Sequence, residues 1–586
     1  VRVTLIAASV AALLAFSAGV CRAQSPAARS QAQASRDAAS PPVSDAMLAS
    51  PSPDDWLMFS RTYDAQRHSP LAQIDRRSVG RLKLAWQHEM GTGLQESIPI
   101  VYRGMLYAFQ AGATIRAFDA ANGELVWEYK RPGFSKTKGL AIYEDLVYFT
   151  TPDGALVALD AGNGSVRWET KIGNAAGTSG PIVVEGKVVT GRACAGKREG
   201  CFIAAHDART GKEVWKFHTV PAKGEPGAES WGPDGPGDNN TASTWGLMGS
   251  YDPVRRLIYW GIADPLPLTR IARHGGNADA VPRSSPSELY SNSTVALDPD
   301  TGKLVWYYQH LPGDDWDEDF TNERVLIRTA FDPDPKYVKW INPDVRRGKQ
   351  RNMSVNVGEG GGLFALDRDT GQFLWATPFP FDTPEFLISD VDTRSGKTTI
   401  NWDSVLKKPG DRHVVCAYNT KSYWPMSYHP GENAMYIPYV DNCLDMTALV
   451  PGAAYQPELR TAVRRPGSDP DKWGGIAKVS MSTGKIERLY EGRMPGVGAM
   501  LTTAGGLVFW GDLDRKLRAL DAKNGKVLWE TTLDAPVANS TITYAVNGKQ
   551  YVAVLTGMGG MTGGLYKQAG VEAGQIKNGI YVFALP

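Results

Sequence analysis

A surplus of either charge is missing from this 586-residue chain, whose Lys+Arg total of 63 against Asp+Glu of 62 gives a formal net charge of +1. Without a broad basic field it has no electrostatic means of gathering a nucleic-acid backbone or an anionic membrane surface. Histidine is scarce: the eight residues show no metal-ligand spacing, and His206 falls inside a repeated turn. Cysteine is scarcer, with five residues, none in the C-x-x-C-H of c-type haem attachment, so a covalently attached c-type haem is not expected. Long apolar runs are wanting except at 5–20, between Arg2 and Cys21-Arg22-Ala23. That run is short for a membrane span and reads as the core of a secretory signal peptide over 1–23. Residues 24–52, rich in Ala, Ser, Gln and Pro without an apolar period, read as a disordered leader, so folded structure is expected over 53–586. Export implies an oxidising compartment, where the four remaining cysteines are expected to pair locally as Cys194–Cys201 and Cys416–Cys443.

What the chain has in quantity is glycine, 62 residues, with 38 prolines and 17 tryptophans. Many turns and many large flat side chains favour a turn-rich β architecture. One phrase recurs: Ala-x-Asp, three residues, Gly, three residues, Trp. It runs from Ala117 to Trp127, Ala158 to Trp168, Ala205 to Trp215, Ala296 to Trp306, Ala365 to Trp375 and Ala519 to Trp529, with a worn copy from Lys478 to Arg488. An apolar strand entering Asp-x-x-[Thr/Asn]-Gly describes a hairpin, since the Asp side chain caps the turn and the glycine accepts positive φ. Hairpins arranged radially, each placing an indole between neighbouring sheets, make an all-β propeller. Seven marked copies, with Leu82–Trp86 and the closing strand near Ile580 sharing a last sheet, predict an eight-bladed β-propeller closed on itself. The tryptophan copies at Trp127 and Trp168 are 41 residues apart, a minimal blade, whereas the longer intervals after Trp215, Trp306 and Trp375 imply insertions. The Gly/Pro-rich stretch 221–246 is one, and such loops commonly build a site.

The densest chemistry is Gly313-Asp314-Asp315-Trp316-Asp317-Glu318-Asp319, five carboxylates in seven positions. Like charges so close require solvent or a cation between them, and hard oxygen ligands suit Ca²⁺ or a comparable ion; the plain alternative is a solvated acidic loop. At these residues the sequence resembles the pyrroloquinoline quinone (PQQ)-dependent alcohol dehydrogenases, the methanol and ethanol dehydrogenase family. The resemblance extends from Asp54 to Pro586 and includes Arg67-His68-Ser69-Pro70-Leu71, Gln95-Glu96-Ser97, Trp306-Tyr307-Tyr308-Gln309-His310, Trp316-Asp317, Thr503 to Phe509 and the tryptophan-docking repeat itself.

The resemblance implies a PQQ cofactor beside a metal ion, Ca²⁺ or a lanthanide, with Asp317 as the catalytic base that takes the alcohol's hydroxyl proton and also as a metal ligand. It further implies Asp264 and Asp319 as ligands, Asp319 standing where lanthanide-using members carry an added carboxylate. Glu96, Lys138 and Thr178 correspond to cofactor contacts, and Trp245 to the floor beneath the quinone, although Trp245 also reads as an ordinary inter-blade tryptophan. The sequence departs from the family pattern at four places. Arg131-Pro132-Gly133-Phe134 replaces a vicinal disulfide. Gly196 falls where a metal-binding glutamate is expected, leaving Glu199 as a substitute ligand. Gly358-Glu359-Gly360-Gly361-Gly362 lacks an expected basic residue, and Val497 replaces a tryptophan over the substrate, predicting a roomier pocket. The implied function is oxidation of an alcohol, bulky, secondary or polycyclic in preference to methanol, by a periplasmic enzyme that passes electrons to an external acceptor such as a soluble cytochrome c. The competing readings are a non-catalytic propeller scaffold and a quinoprotein that binds cofactor with degenerate activity.

Overall fold

The computed structural model describes residues 41–586 except 111, 113, 134–136, 176, 417, 450–457, 539 and 573–575. The signal peptide expected over 1–23 and the leader as far as residue 40 lie outside the described residues. The end of that leader is a correction: packed chain begins ten residues sooner than residue 53. Val43 is fully buried and bridges to Glu144, and the short helix Asp45–Ala49, whose N-terminus is capped by the Ser44 hydroxyl, buries Leu48. Polar composition concealed two anchoring side chains.

Each repeated phrase is an antiparallel hairpin. In the first, Thr114–Asp119 pairs with Leu125–Lys130, Ala117 stands opposite Trp127, and a bulge separates Ala117 from Phe118. The Asp119 carboxylate accepts from the Ala121 and Asn122 amides, and Gly123 turns the chain at φ +79°. Further strands complete the sheets, and the described residues form eight sheets of at least four strands apiece, antiparallel except where His68–Ser69 pairs in parallel with Thr502 and Thr503. The first long strand, Lys83–Glu89, pairs with the last, Gly579–Ala584, so the opening and closing strands share one sheet, with Lys83–Glu89 at its outer edge. The molecule is an all-β propeller.

Successive hairpins are locked by their indoles. The Trp86 ring covers Gly123, Trp127 covers Gly164, Trp168 covers Gly211 and Trp215 covers Gly302, so close that a Cβ on the glycine would meet the ring at 2.4 to 2.7 Å. The same four Nε1–H groups donate to the carbonyls of Ala120, Ala161, Ala208 and Pro299 at 2.9 to 3.1 Å. The phrase therefore needs glycine twice over, for positive φ and for room. At the worn copy, where Arg488 replaces the indole, the following Gly525 meets the Leu489 carbonyl instead.

The expected disulfides are formed: Cys194–Cys201 closes a short loop, and Cys416–Cys443 joins two directly paired strands. The long interval after Trp375 holds a hairpin, Ile388–Val391 with Thr398–Ile400, and a three-stranded sheet made of Arg412–Cys416, Asn442–Ala448 and Glu458–Arg464. Among the described residues no helix is long and apolar enough to cross a membrane.

Candidate active site and cation site

The acidic segment is sorted by its hydrogen bonds into carboxylates that shape the loop and carboxylates that face a cavity. Asp314 accepts from the Trp316 and Glu318 amides at 2.7 and 2.9 Å and from Asn292 Nδ2 at 2.8 Å. Asp315 accepts from the Arg270 and Leu406 amides at 2.5 and 2.7 Å. Trp316, fully buried, anchors the turn through Nε1–H to the Ser404 carbonyl. With these three turned inward, Asp317 and Asp319 are presented to a cavity of about 810 Å³ whose lining also includes Trp245, Asp264, Glu359 and Tyr418. Asp317 holds a left-handed backbone, φ +68°, a conformation that non-glycine residues adopt at a cost and that clusters at functional sites.

Asp264, Asp317 and Asp319 each bring one carboxylate oxygen to within 4.8 Å of the others. The Asp264 amide donates to Asp319 Oδ1 at 2.6 Å, and Trp245 Nε1–H donates to Asp319 Oδ2, so that Asp319 is oriented from two sides. Asp264 Oδ2 is buried and has no hydrogen-bond partner. Burial, then the charge of Asp319, pushes the Asp264 carboxyl well above the usual range. Burial also raises Asp319, and it lifts Asp317 to about 6 although the Arg460 guanidinium opposes it. Three clustered oxygen donors, one orphaned, whose mutual repulsion favours protonation, are a donor set that a hard cation would satisfy.

That electrostatic arrangement has a measurable sign. A carboxylate raised on folding contributes stability that is present below its unfolded value, near 4, and is lost as pH rises through its folded value. For Asp317 the window therefore runs from about 4 to about 6. Thermal unfolding of the metal-free protein should occur at lower temperature at pH 7 than at pH 5, and added Ca²⁺ or La³⁺ should raise the midpoint far more at pH 7. Equal stabilisation at both values would exclude a cation site at these aspartates.

The residues expected to hold the cofactor also converge. Ile98 N–H donates to the Lys138 carbonyl at 3.0 Å and Lys138 N–H to the Thr178 carbonyl at 3.1 Å, tying the entry segments of three successive sheets together. The Trp245 carbonyl accepts from Thr178 Oγ1 at 2.9 Å and from Lys138 Nζ at 3.3 Å. Lys138 Nζ also lies 3.6 Å from Glu96 Oε2 and 4.8 Å from the centre of the Trp245 ring. Trp245 faces the cavity, while Glu96 and Lys138 are buried. Through its indole, Trp245 joins this group to the aspartates. The 221–246 insertion thus contributes Thr241, Ser243 and Trp245 to the cavity wall.

Two expectations are not met. Glu199 is exposed on a single helical turn, 198–200, and belongs neither to the carboxylate cluster nor to the cavity lining, where the Cys194–Cys201 loop instead places Ala195 and Gly196 at the rim. Val497 is buried and bridged to Ala538, and it is not among the residues lining the cavity. Sequence reasoning also missed Arg460, which ion-pairs with Asp317 from 143 residues away, and Glu359, a cavity carboxyl bonded to Ser422. The Gly-rich setting of Glu359 was a usable signal, whereas Arg460 lay in an insertion with no motif.

The chain matches the family model for the glucose/ethanol/alcohol dehydrogenase β-propeller domain, of the PQQ type, over residues 56–379 and 472–552. It is 31% identical to the quinohemoprotein alcohol dehydrogenase ADH-IIG of Pseudomonas putida, over 90% of this chain and 76% of that protein. It is 28% identical to the lanthanide-dependent methanol dehydrogenase of Methylorubrum extorquens, over 87% of this chain and 88% of the relative. Among solved structures, a europium-containing methanol dehydrogenase superposes with a TM-score of 0.79 at 26% identity, covering 92% of this chain and 99% of that one.

Proposed function

The chain belongs to the PQQ-dependent glucose/ethanol/alcohol dehydrogenase family, and from that premise we propose that it oxidises an alcohol larger than methanol, secondary, polyol-type or polycyclic, to its carbonyl compound. The observation that carries this reading is the convergence of Asp264, Asp317 and Asp319 within 4.8 Å beside Trp245. We take the eight sheets as the eight blades of the propeller and the indole-on-glycine contacts as its docking motif.

In this reading Asp264, Asp317 and Asp319 hold a cation, Ca²⁺ or a lanthanide, and Glu96, Lys138, Thr178 and Trp245 hold PQQ. When bound, the quinone and its cation would supply an electrophilic carbonyl as the hydride acceptor for the alcohol. Asp317 supplies the base: beside a cation its carboxylate stays ionised, and it takes the hydroxyl proton as the carbonyl product forms. Trp245 presents a flat apolar wall suited to a planar ring system, and the Asp319 bond to its indole keeps that wall in register with the cation. Substrate size follows from the small lining residues Ala175, Ala193, Ala195 and Gly196, which leave width in a cavity of about 810 Å³. Two disulfides support an oxidising compartment, the periplasm, and a soluble cytochrome c is the proposed acceptor.

Reconstitution tests the reading: purified protein is loaded with PQQ plus Ca²⁺, or PQQ plus La³⁺, and dye reduction is followed across a series of alcohols. Dye reduction is expected with at least one metal, with kcat/KM larger for a bulky secondary alcohol than for methanol. A methanol value above all others would overturn the assignment of substrate size. Absence of turnover with retained PQQ binding would leave a degenerate quinoprotein, and absence of both a scaffold.

A further inference from the structure

Arg460 lies in the part of the chain that the family match omits, between residues 379 and 472, on the strand Glu458–Arg464. That strand is the edge of the three-stranded sheet outside the eight: Arg460 stands opposite Met446, and the middle strand is fixed to the third by Cys416–Cys443. From there Arg460 Nη1–H donates to Asp317 Oδ2 in the cavity wall. The guanidinium is largely buried, at 15% exposure, whereas the Asp317 side chain it meets is 35% exposed and opens on the cavity. Neighbouring cations are committed to other carboxylates: Arg465 to Asp441, Lys421 to Glu323, Lys138 to Glu96. Among the described residues Arg460 is the guanidinium that meets the aspartate cluster.

A carboxylate that must both attend a cation and accept a proton has to keep its plane fixed, and an arginine on one oxygen does this directionally. The same arginine brings positive charge against any cation that shares the carboxylate. We propose that Arg460, delivered by this accessory sheet, is a positioning residue for Asp317 that trades cation affinity for orientation of the base. The inference rests on the proposed role of Asp317. It predicts two effects of opposite sign, whereas a merely structural arginine would lower both quantities when removed.

The experiment uses the full-length protein and two readouts. Tb³⁺ binding to the metal-free protein is followed by luminescence excited through Trp245, whose indole touches the cluster at Asp319. Arg460→Gln should tighten Tb³⁺ binding by about tenfold. In the PQQ-loaded, Ca²⁺-loaded protein the same variant should lower kcat by about 10²-fold with KM nearly constant, and Arg460→Lys should fall between it and wild type in both assays. Weaker Tb³⁺ binding by Arg460→Gln, or an unchanged kcat, overturns the proposal. Should Arg460→Gln fail to fold, Arg460→Lys decides, wild-type behaviour in both assays counting against the idea. If the wild-type protein oxidises no alcohol, the proposed function falls separately, and the Tb³⁺ comparison still decides whether Arg460 opposes the cation.

Discussion

Replacing Asp317 with Asn should leave PQQ bound and cut alcohol oxidation by about 10³-fold, near the middle of the range that a positioned general base contributes. Asn retains an oxygen for a cation and the size of the side chain, so the loss should appear in kcat and kcat/KM alike, as expected when an interaction made chiefly in the transition state is removed. Asp317→Ala removes the donor as well and should add a weakened cation affinity to the same catalytic defect. The site has other carboxyls that could be imagined as bases, but their surroundings disfavour them. Glu359 is buried, bonded to Ser422 and pushed well above the usual carboxylate range first by burial and then by the charge of Asp319. Asp264 and Asp319 are bound to one another, amide to carboxylate. Asp317 alone of the three aspartates is half-buried, with access to the cavity and a guanidinium partner. Titration of PQQ into the variant separates binding from turnover; retention of kcat within tenfold by Asp317→Asn would place the base elsewhere.

The second large effect concerns the ring and leaves the chemistry aside. Trp127→Ala should destabilise the protein by about 3–5 kcal/mol, the usual consequence of emptying the site of a buried tryptophan. Its indole is buried, donates to the Ala161 carbonyl at 2.9 Å and roofs Gly164. Removing it opens a void between two sheets and takes away one of the two side-chain donors to that carbonyl, the other being the Tyr107 hydroxyl at 3.2 Å. Gly164→Ala tests the same contact from the other side. At φ +74° an alanine is strained, and its Cβ would stand 2.6 Å from the Trp127 ring. Urea unfolding should show both variants shifted to a lower midpoint with a similar slope. A Trp127→Ala loss under 1 kcal/mol would mean that the contact is ornamental, which the worn copy at Arg488 makes a fair question, since that junction is closed by main chain instead.

The hairpins, the shared sheet of first and last strands, both disulfides and the acidic segment were legible in the linear chain. Each is written in local chemistry: an Asp and a Gly that only one turn can use, a tryptophan at constant offset, cysteines 7 and 27 residues apart. The resemblance pointed to Trp245 and to Asp319 separately, but the bond between indole and carboxylate came only from the tertiary structure, as did the placement of Glu199 outside the cavity lining. Sequence alone could not rank the five carboxylates of the acidic segment, since all five look alike until amides are assigned to them.

Composition and periodicity determined that this is a closed β protein with a charged insertion chemistry, because turns and alternating strands are encoded within a dozen residues. Which carboxylates face one another, and which cation from a remote strand meets them, was decided only by the closing of the ring. Side chains hundreds of positions apart become neighbours there, and the resulting fields depend on distance and burial, quantities that no local pattern records.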